Sequence, residues 1–311
     1  MNQINKDGLS VRISLRKQIG YYLLLAPLFL SSCIHDYLDS CPTLQVQLTV
    51  TDKNYSNVSS VPQETPKSEI LAFNEYIPTL YYTLRNVTTG NIVEEKGVFN
   101  VTGSEQAFSI GFGNSLPFGK YVLTVWGGLP DNFSLVNRSL TSTIHKGTQE
   151  GSDIYLAHDT LVYDLNHYTY TFGMKRVTGK LILDVTNLPA SVRYANKSVS
   201  NIFQQVNYQF AYTNPITVSK SDTWEPSEEV VLHTKLAPSR GELQSLLHLE
   251  FYDPPPVGTR ALTLSPKDVN VTMKRNKLTT LKYVYDDKAK DFNIYMWTDD
   301  GWEIINDLGI N

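Results

Sequence analysis

Six histidines, at positions 35, 145, 158, 167, 233 and 248, are the residues best suited to metal binding or proton transfer. None lies three or four residues from another, the spacing that brings two ligands onto one helical face. His158 and Asp159 are adjacent, and on a strand adjacent side chains point to opposite faces. Histidines scattered in this way are expected to be surface or core residues. The segment Gly113-Asn-Ser-Leu-Pro-Phe-Gly119-Lys120 has the look of a phosphate loop, but five residues separate its glycines instead of four. Tyr121 stands where Ser or Thr is needed, and the segment leads into a strand, so no helix N-terminus would face a phosphate. A turn is expected there. No Gly-x-Ser-x-Gly elbow occurs and Cys41 has no nucleophile pattern around it. Asp286-Asp287 and Asp299-Asp300 read as solvated turn residues. Trp224, Trp297 and Trp302 have the rings for a sugar platform, yet sandwich cores use tryptophan in the same way, and core is the expectation. Catalysis, cofactor, metal and small-molecule substrate are therefore all expected to be absent.

One cysteine does have a chemistry written around it. The first eighteen residues carry Lys6, Arg12, Arg16 and Lys17, and Ile19 to Leu30 form an apolar run broken only by Gly20 and Pro27. This is the layout of a signal peptide, and the run is shorter than the ~20 residues needed to span a bilayer. Directly after it, Leu30-Ser31-Ser32-Cys33 resembles the bacterial lipobox, in which small residues precede a cysteine that is acylated. Cys33 is thus the predicted lipidation site, with residues 1–32 as its signal. Each buried methylene contributes about 0.8 kcal/mol, so several acyl chains on one cysteine hold a protein on a membrane. With Cys33 acylated, Cys41 is left without a disulfide partner in the chain. Ile34 follows the acylated residue where an inner-membrane retention signal would have Asp, so an outer-membrane destination is expected. After residue 32 come 23 basic and 30 acidic residues, a net charge of about −7 with no basic patch, which argues against a nucleic-acid partner.

The elements that follow are mostly strands. Leu44, Val46, Leu48 and Val50 alternate with polar residues, the period of a half-buried strand. Asp52 to Ser68, with Pro62 and Pro66, reads as a long loop. Ser68 to Tyr76 is open between a short helix and a strand, ended by Pro78. Leu80–Arg85, Ala107–Phe112 and Tyr121–Trp126 read as strands. A second series includes Lys180–Thr186, Val206 to Tyr212, Leu247 to Phe251, Val269 to Met273, Leu281 to Tyr285 and Phe292 to Met296. Short strands separated by turn signals, with hardly a helix long enough to cross a parallel sheet, predict an all-β chain of antiparallel sandwiches. At 311 residues there is length for two domains, 33–170 and 171–311, divided between about Leu161 and Gly173.

Taken together, Cys33 through Asp39-Ser40-Cys41-Pro42, the segment Leu116-Pro-Phe-Gly-Lys-Tyr-Val-Leu-Thr-Val-Trp126-Gly127 and Lys175-Arg176-Val177-Thr-Gly-Lys-Leu resemble the FimB-like, or minor-fimbrium, anchor lipoproteins of Bacteroidota. The resemblance implies two transthyretin-like β-sandwich domains, an outer-membrane lipid anchor at Cys33, and a non-enzymatic role in anchoring a fimbrium and limiting its length. It also implies pilin subunits as partners, engaged by strand addition. Related polymerising pilins lose their first strand to an arginine-specific protease. Here the first arginine after Cys33 is Arg85, too far along to release one strand, so the lipidated N-terminus is expected to be retained. Asp159-Thr160-Leu161 also resembles the O-glycosylation triplet of envelope proteins of that phylum. The alternative function is a surface glycan-binding lipoprotein of a polysaccharide-uptake system.

Overall fold

Alternating apolar residues give this chain its strands, and the computed structural model describes them over residues 42–113, 115–136, 140–227, 229–253, 261–298 and 301–305. The expectations for the signal segment 1–32, for Cys33, His35 and Cys41, and for Asp299-Asp300 concern residues outside these ranges.

The first part of the chain contributes β1 Gln45–Val50, β2 Thr79–Asn86, β3 Ile92–Asn100, β4 Phe108–Gly111, β5 Gly119–Gly127, β6 Leu135–Val136, β7 Thr141–Thr143, β8 Tyr155–Tyr163 and β9 Thr169–Arg176. The remainder contributes β10 Gly179–Thr186, β11 Tyr194–Asn207, β12 Tyr212–Thr223, β13 Glu229–Leu236, β14 Ser245–Asp253, β15 Ala261–Leu264, β16 Val269–Val271, β17 Leu278–Asp286, β18 Asp291–Thr298 and β19 Gly301–Ile304. A single turn of helix, α1, covers Phe73–Tyr76 and resolves the ambiguity at Ser68–Tyr76. Among the described residues no helix is long and apolar enough to cross a membrane. The protein is all-β.

The first sandwich comes from one hydrogen-bonded path, β3-β2-β5-β8-β9-β1-β4, folded over on itself. The fold falls between β8 and β9, which pair only at Tyr155–Arg176 and Leu156–Lys175 before diverging. Beyond that corner β8 continues along β5 and β9 continues along β1. Val46 and Leu48 of β1, with Leu44 just before it, then meet Leu80 and Leu84 of β2 and Leu123 and Val125 of β5 in one buried cluster. In the second sandwich, β13-β10-β17-β18-β19 packs on β15-β14-β11-β7-β6, with β12 and β16 paired to β11 and β14. Most pairings are antiparallel, as expected, but β1–β9 and β10–β17 are parallel.

Two findings go beyond simple alternation. Leu181, Leu183 and Val185 of β10 enter the sandwich core, as their spacing predicts, but Ile182 and Asp184 on the opposite face are buried too. The loop 52–68 covers that face: Tyr55 and Val61 pack on Ile182 and Leu278. Gln63 donates to the Asp184 carboxylate at 3.0 Å, and Lys282 Nζ lies 3.6 Å from it. Likewise β7, from the connection between β5 and β8, pairs with β11 of the second sandwich. The reading of Val206 to Tyr212 as one strand is corrected. Asn207 ends β11, its side chain accepts from the Gln209 and Ala211 amides, and Phe210 has φ 59°. That side-chain bond to the backbone makes a turn where apolar alternation alone suggested a strand.

Candidate functional site at the strand edges and the ends of the first sandwich

In a sheet protein, unpaired strand edges and loop clusters are where partners can be held. Several edges are closed by side chains. On β13, the Lys235 amide donates to Glu150 at 2.7 Å, the His233 carbonyl accepts from Lys220 Nζ at 2.6 Å, and the amide of Ala237 just beyond donates to His145 Nε2 at 3.0 Å. His145 is fully buried, and its Nδ1 donates to the Gln149 carbonyl at 3.0 Å. This pattern requires the neutral ring. Burial supplies it by pushing the pKa down to about 4, against the opposing pull of the Gln149 carbonyl and Glu150. The β3 edge is guarded differently: it carries Glu94, Glu95 and Lys96, is broken by register shifts, and its Val98 amide donates to Asn132 at 2.7 Å. Charge, bulges and side-chain plugs all oppose edge-to-edge pairing.

The corner between β8 and β9 is more open. A cleft of about 320 Å³ lies there, lined by Thr51, Ala157, His158, Asp159, Phe172 and Phe210 among others. Its far end is bridged by Tyr170, whose hydroxyl donates to the Val162 carbonyl and accepts from the Val162 amide. His158 shares a 2.8 Å hydrogen bond with Thr124, and its ring centroid is 4.3 Å from that of Tyr208. Burial lowers its pKa. It is a half-buried packing residue. Asp159 and Thr160 are exposed on β8, while Leu161 is buried.

The two ends of the first sandwich differ sharply. At the end facing the second sandwich, Arg176 is 3% exposed. Its Nε donates to Asp153 at 2.9 Å, its Nη1 to Asn276 Oδ1 at 2.8 Å and its Nη2 to the Tyr155 hydroxyl. The guanidinium also stacks on the Tyr55 ring, 4.2 Å from its centroid. Burial works against its charge, but Asp153 and the two tyrosines hold its pKa above the usual value. Burial and Asp153 in turn push the Tyr55 and Tyr155 hydroxyls well up. Asp52 receives the Arg176 amide and Arg275 Nη1, each at 2.9 Å. Gly128 sits beside this network at φ +74°, and a methyl carbon there would lie 2.2 Å from the Asp153 carbonyl oxygen.

At the opposite end the chain enters β1. The Tyr163 hydroxyl donates to the Pro42 carbonyl at 2.7 Å, and the Gln45 amide donates to the Tyr168 carbonyl at 2.8 Å. Here large apolar side chains face solvent: Phe118 (44% exposed), Leu165 (61%) and Tyr168 (40%).

The other residues singled out in sequence are dispersed. The segment from Gly113 is a turn, with the Leu116 amide donating to the Gly113 carbonyl at 3.0 Å, and it leads into β5. Asp286 accepts from the Lys288 and Ala289 amides as a turn residue. Trp224 packs edge-on against Phe251 on the second core, while Trp297 and Trp302 meet edge to face with centroids 5.0 Å apart. No group of three or more His, Cys, Asp or Glu able to hold a metal occurs among the described residues. Neither the edge caps nor the exposed end was visible in sequence, since each joins residues distant along the chain.

No family model matches the chain, and no curated protein matches it. Solved structures do. A candidate adhesin from Bacteroides ovatus superposes with a TM-score of 0.55 at 12% identity, over 89% of this chain and 98% of its own. A candidate adhesin from Bacteroides thetaiotaomicron gives 0.51 at 14% identity over 86% and 100%. A candidate polysaccharide-binding protein from the same organism gives 0.52 at 11% identity over 86% and 99%. At these identities the likeness concerns the fold alone, a double β-sandwich that this chain shares with those Bacteroides proteins.

Proposed function

We propose that this protein is a non-enzymatic lipoprotein of the outer membrane, exposed at the cell surface, that anchors or helps assemble a fimbrium and thereby serves adhesion. One observation carries the reading. The strand that begins about ten residues after Cys33 is internal to the first sandwich, paired with β4 on one side and β9 on the other, with Leu44, Val46 and Leu48 fully buried. An acyl group on Cys33 would pull on the core of the fold and not on a detachable arm. Arg85, the first arginine past that strand, lies within β2 between β3 and β5, so its peptide bond is held in a ladder and poorly presented to a protease. Retention of the N-terminus suits an anchor. The adhesins that share the fold support a surface role. Pilin subunits would be held by strand addition, for which the divergence of β8 from β9 offers unpaired main chain. The test is a Cys33→Ala form in cells that make fimbriae. It is expected to lose acyl labelling and to release fibres into the medium; fibres that stay on the cell would overturn the anchor role.

A second reading, glycan capture, is favoured by the polysaccharide-binding candidate of the same fold. Trp224 is committed to the core, so this reading falls on Trp302, over which Lys282 lies 6.0 Å from the ring. Polysaccharide affinity lost on Trp302→Ala would favour it.

A further inference from the structure

We propose that the end of the first sandwich bearing Pro42 rests on the lipid surface, with its exposed apolar side chains lodged among the headgroups. This rests on the reading that Cys33 is acylated. Phe118, Leu165 and Tyr168 are joined at this end by Val87, Val93 and Val162, which are 44%, 44% and 46% exposed. These six come from four separate places in the chain, yet the fold gathers them. Val87 donates its amide to the Lys120 carbonyl, Lys120 pairs with Val162, and the Phe118 ring lies 4.9 Å from that of Tyr163. Leu165 stands in the Asp164–His167 turn that joins β8 to β9, held by Asp164 accepting from the Asn166 and His167 amides at 2.8 Å each. The apolar tip is therefore on a rigid turn.

What would cover it follows from the tether. Pro42 is nine residues from Cys33, and a fully extended chain of that length reaches at most about 30 Å. The chain enters β1 at this end, so an anchor at Cys33 holds this end nearer the bilayer than the junction end, which lies a strand's length farther along the chain. Exposed aromatic and aliphatic side chains are what an interfacial contact uses. Lys120, exposed at this end, suits a phosphate-bearing surface, and the nearby Asp164 is engaged with His167 at 2.9 Å.

The test uses the full acylated chain reconstituted into vesicles of phosphatidylethanolamine and phosphatidylglycerol, in a Cys41→Ser background. A polarity-sensitive fluorophore is attached through Leu165→Cys or, as control, through Leu243→Cys on the second sandwich. Severalfold quenching by headgroup-region spin-labelled lipid at 165, with none at 243, is expected. Vesicle-bound protein whose label at 165 remains as unquenched as at 243 overturns the tip contact while leaving the anchor intact. Protein that carries no acyl group and does not float with vesicles overturns the anchor reading, and the proposed orientation with it.

Discussion

The two ends of the first sandwich solve opposite problems with the same strands. At the junction end, β1, β8 and β9 meet in a cluster of charge centred on a buried guanidinium: Arg176 among Asp153, Asn276, Tyr55 and Tyr155, with Asp52 bridging to the partly exposed Arg275. At the other end the same strands finish in exposed apolar residues with few charges among them. A buried charge is tolerated only when every polar atom around it is satisfied, so the junction is intolerant of change. The exposed end has no such constraint, and its sequence is free to serve a surface.

The difference predicts a graded set of outcomes. The largest effect is expected at the junction. Arg176→Ala strands Asp153 and Asn276 and should cost roughly 3–5 kcal/mol, read as a lowered urea midpoint. A loss below about 1 kcal/mol would mean that the network is not what joins the sandwiches. Gly128→Ala should follow at about 2 kcal/mol or more, because it combines positive φ with a clash against the Asp153 carbonyl.

Next comes pH. His145 is neutral in the fold and its pKa is depressed to about 4, whereas the unfolded chain binds its proton near 6.5. Its contribution is fully present above pH 6.5 and is lost as pH falls toward 4, up to about 3 kcal/mol in all. His145→Gln should flatten the stability profile in that window; an unchanged slope would show that the edge of β13 does not depend on the neutral ring. The smallest effect belongs to the exposed end, where Leu165→Ser should shift stability by no more than about 0.5 kcal/mol. A loss of several kcal/mol there would break the comparison outright.

Legibility in the sequence followed the same division. Strands with one wetter face, such as β1 and β14, announce themselves by period two because burial alternates. Strand β3 was missed because its pattern is mostly exposed, with Glu94, Glu95 and Lys96 in place of core residues. The β8–β9 corner, the caps on β13 and the cover over β10 were not readable, since each depends on residues such as Glu150, Gln63 or Tyr170 meeting partners far away in the chain.

By itself the amino-acid sequence determined the all-β class, the strand that starts close to Cys33, the lipidation expected there and the want of any catalytic motif, because each is carried by neighbouring residues. The tertiary structure decided which edges are closed, how loop 52–68 and β7 are lent to the second sandwich, and which end carries the apolar surface. Those outcomes depend on long-range contact, and Val87, Phe118 and Leu165 become one surface only when the sheets have folded over one another.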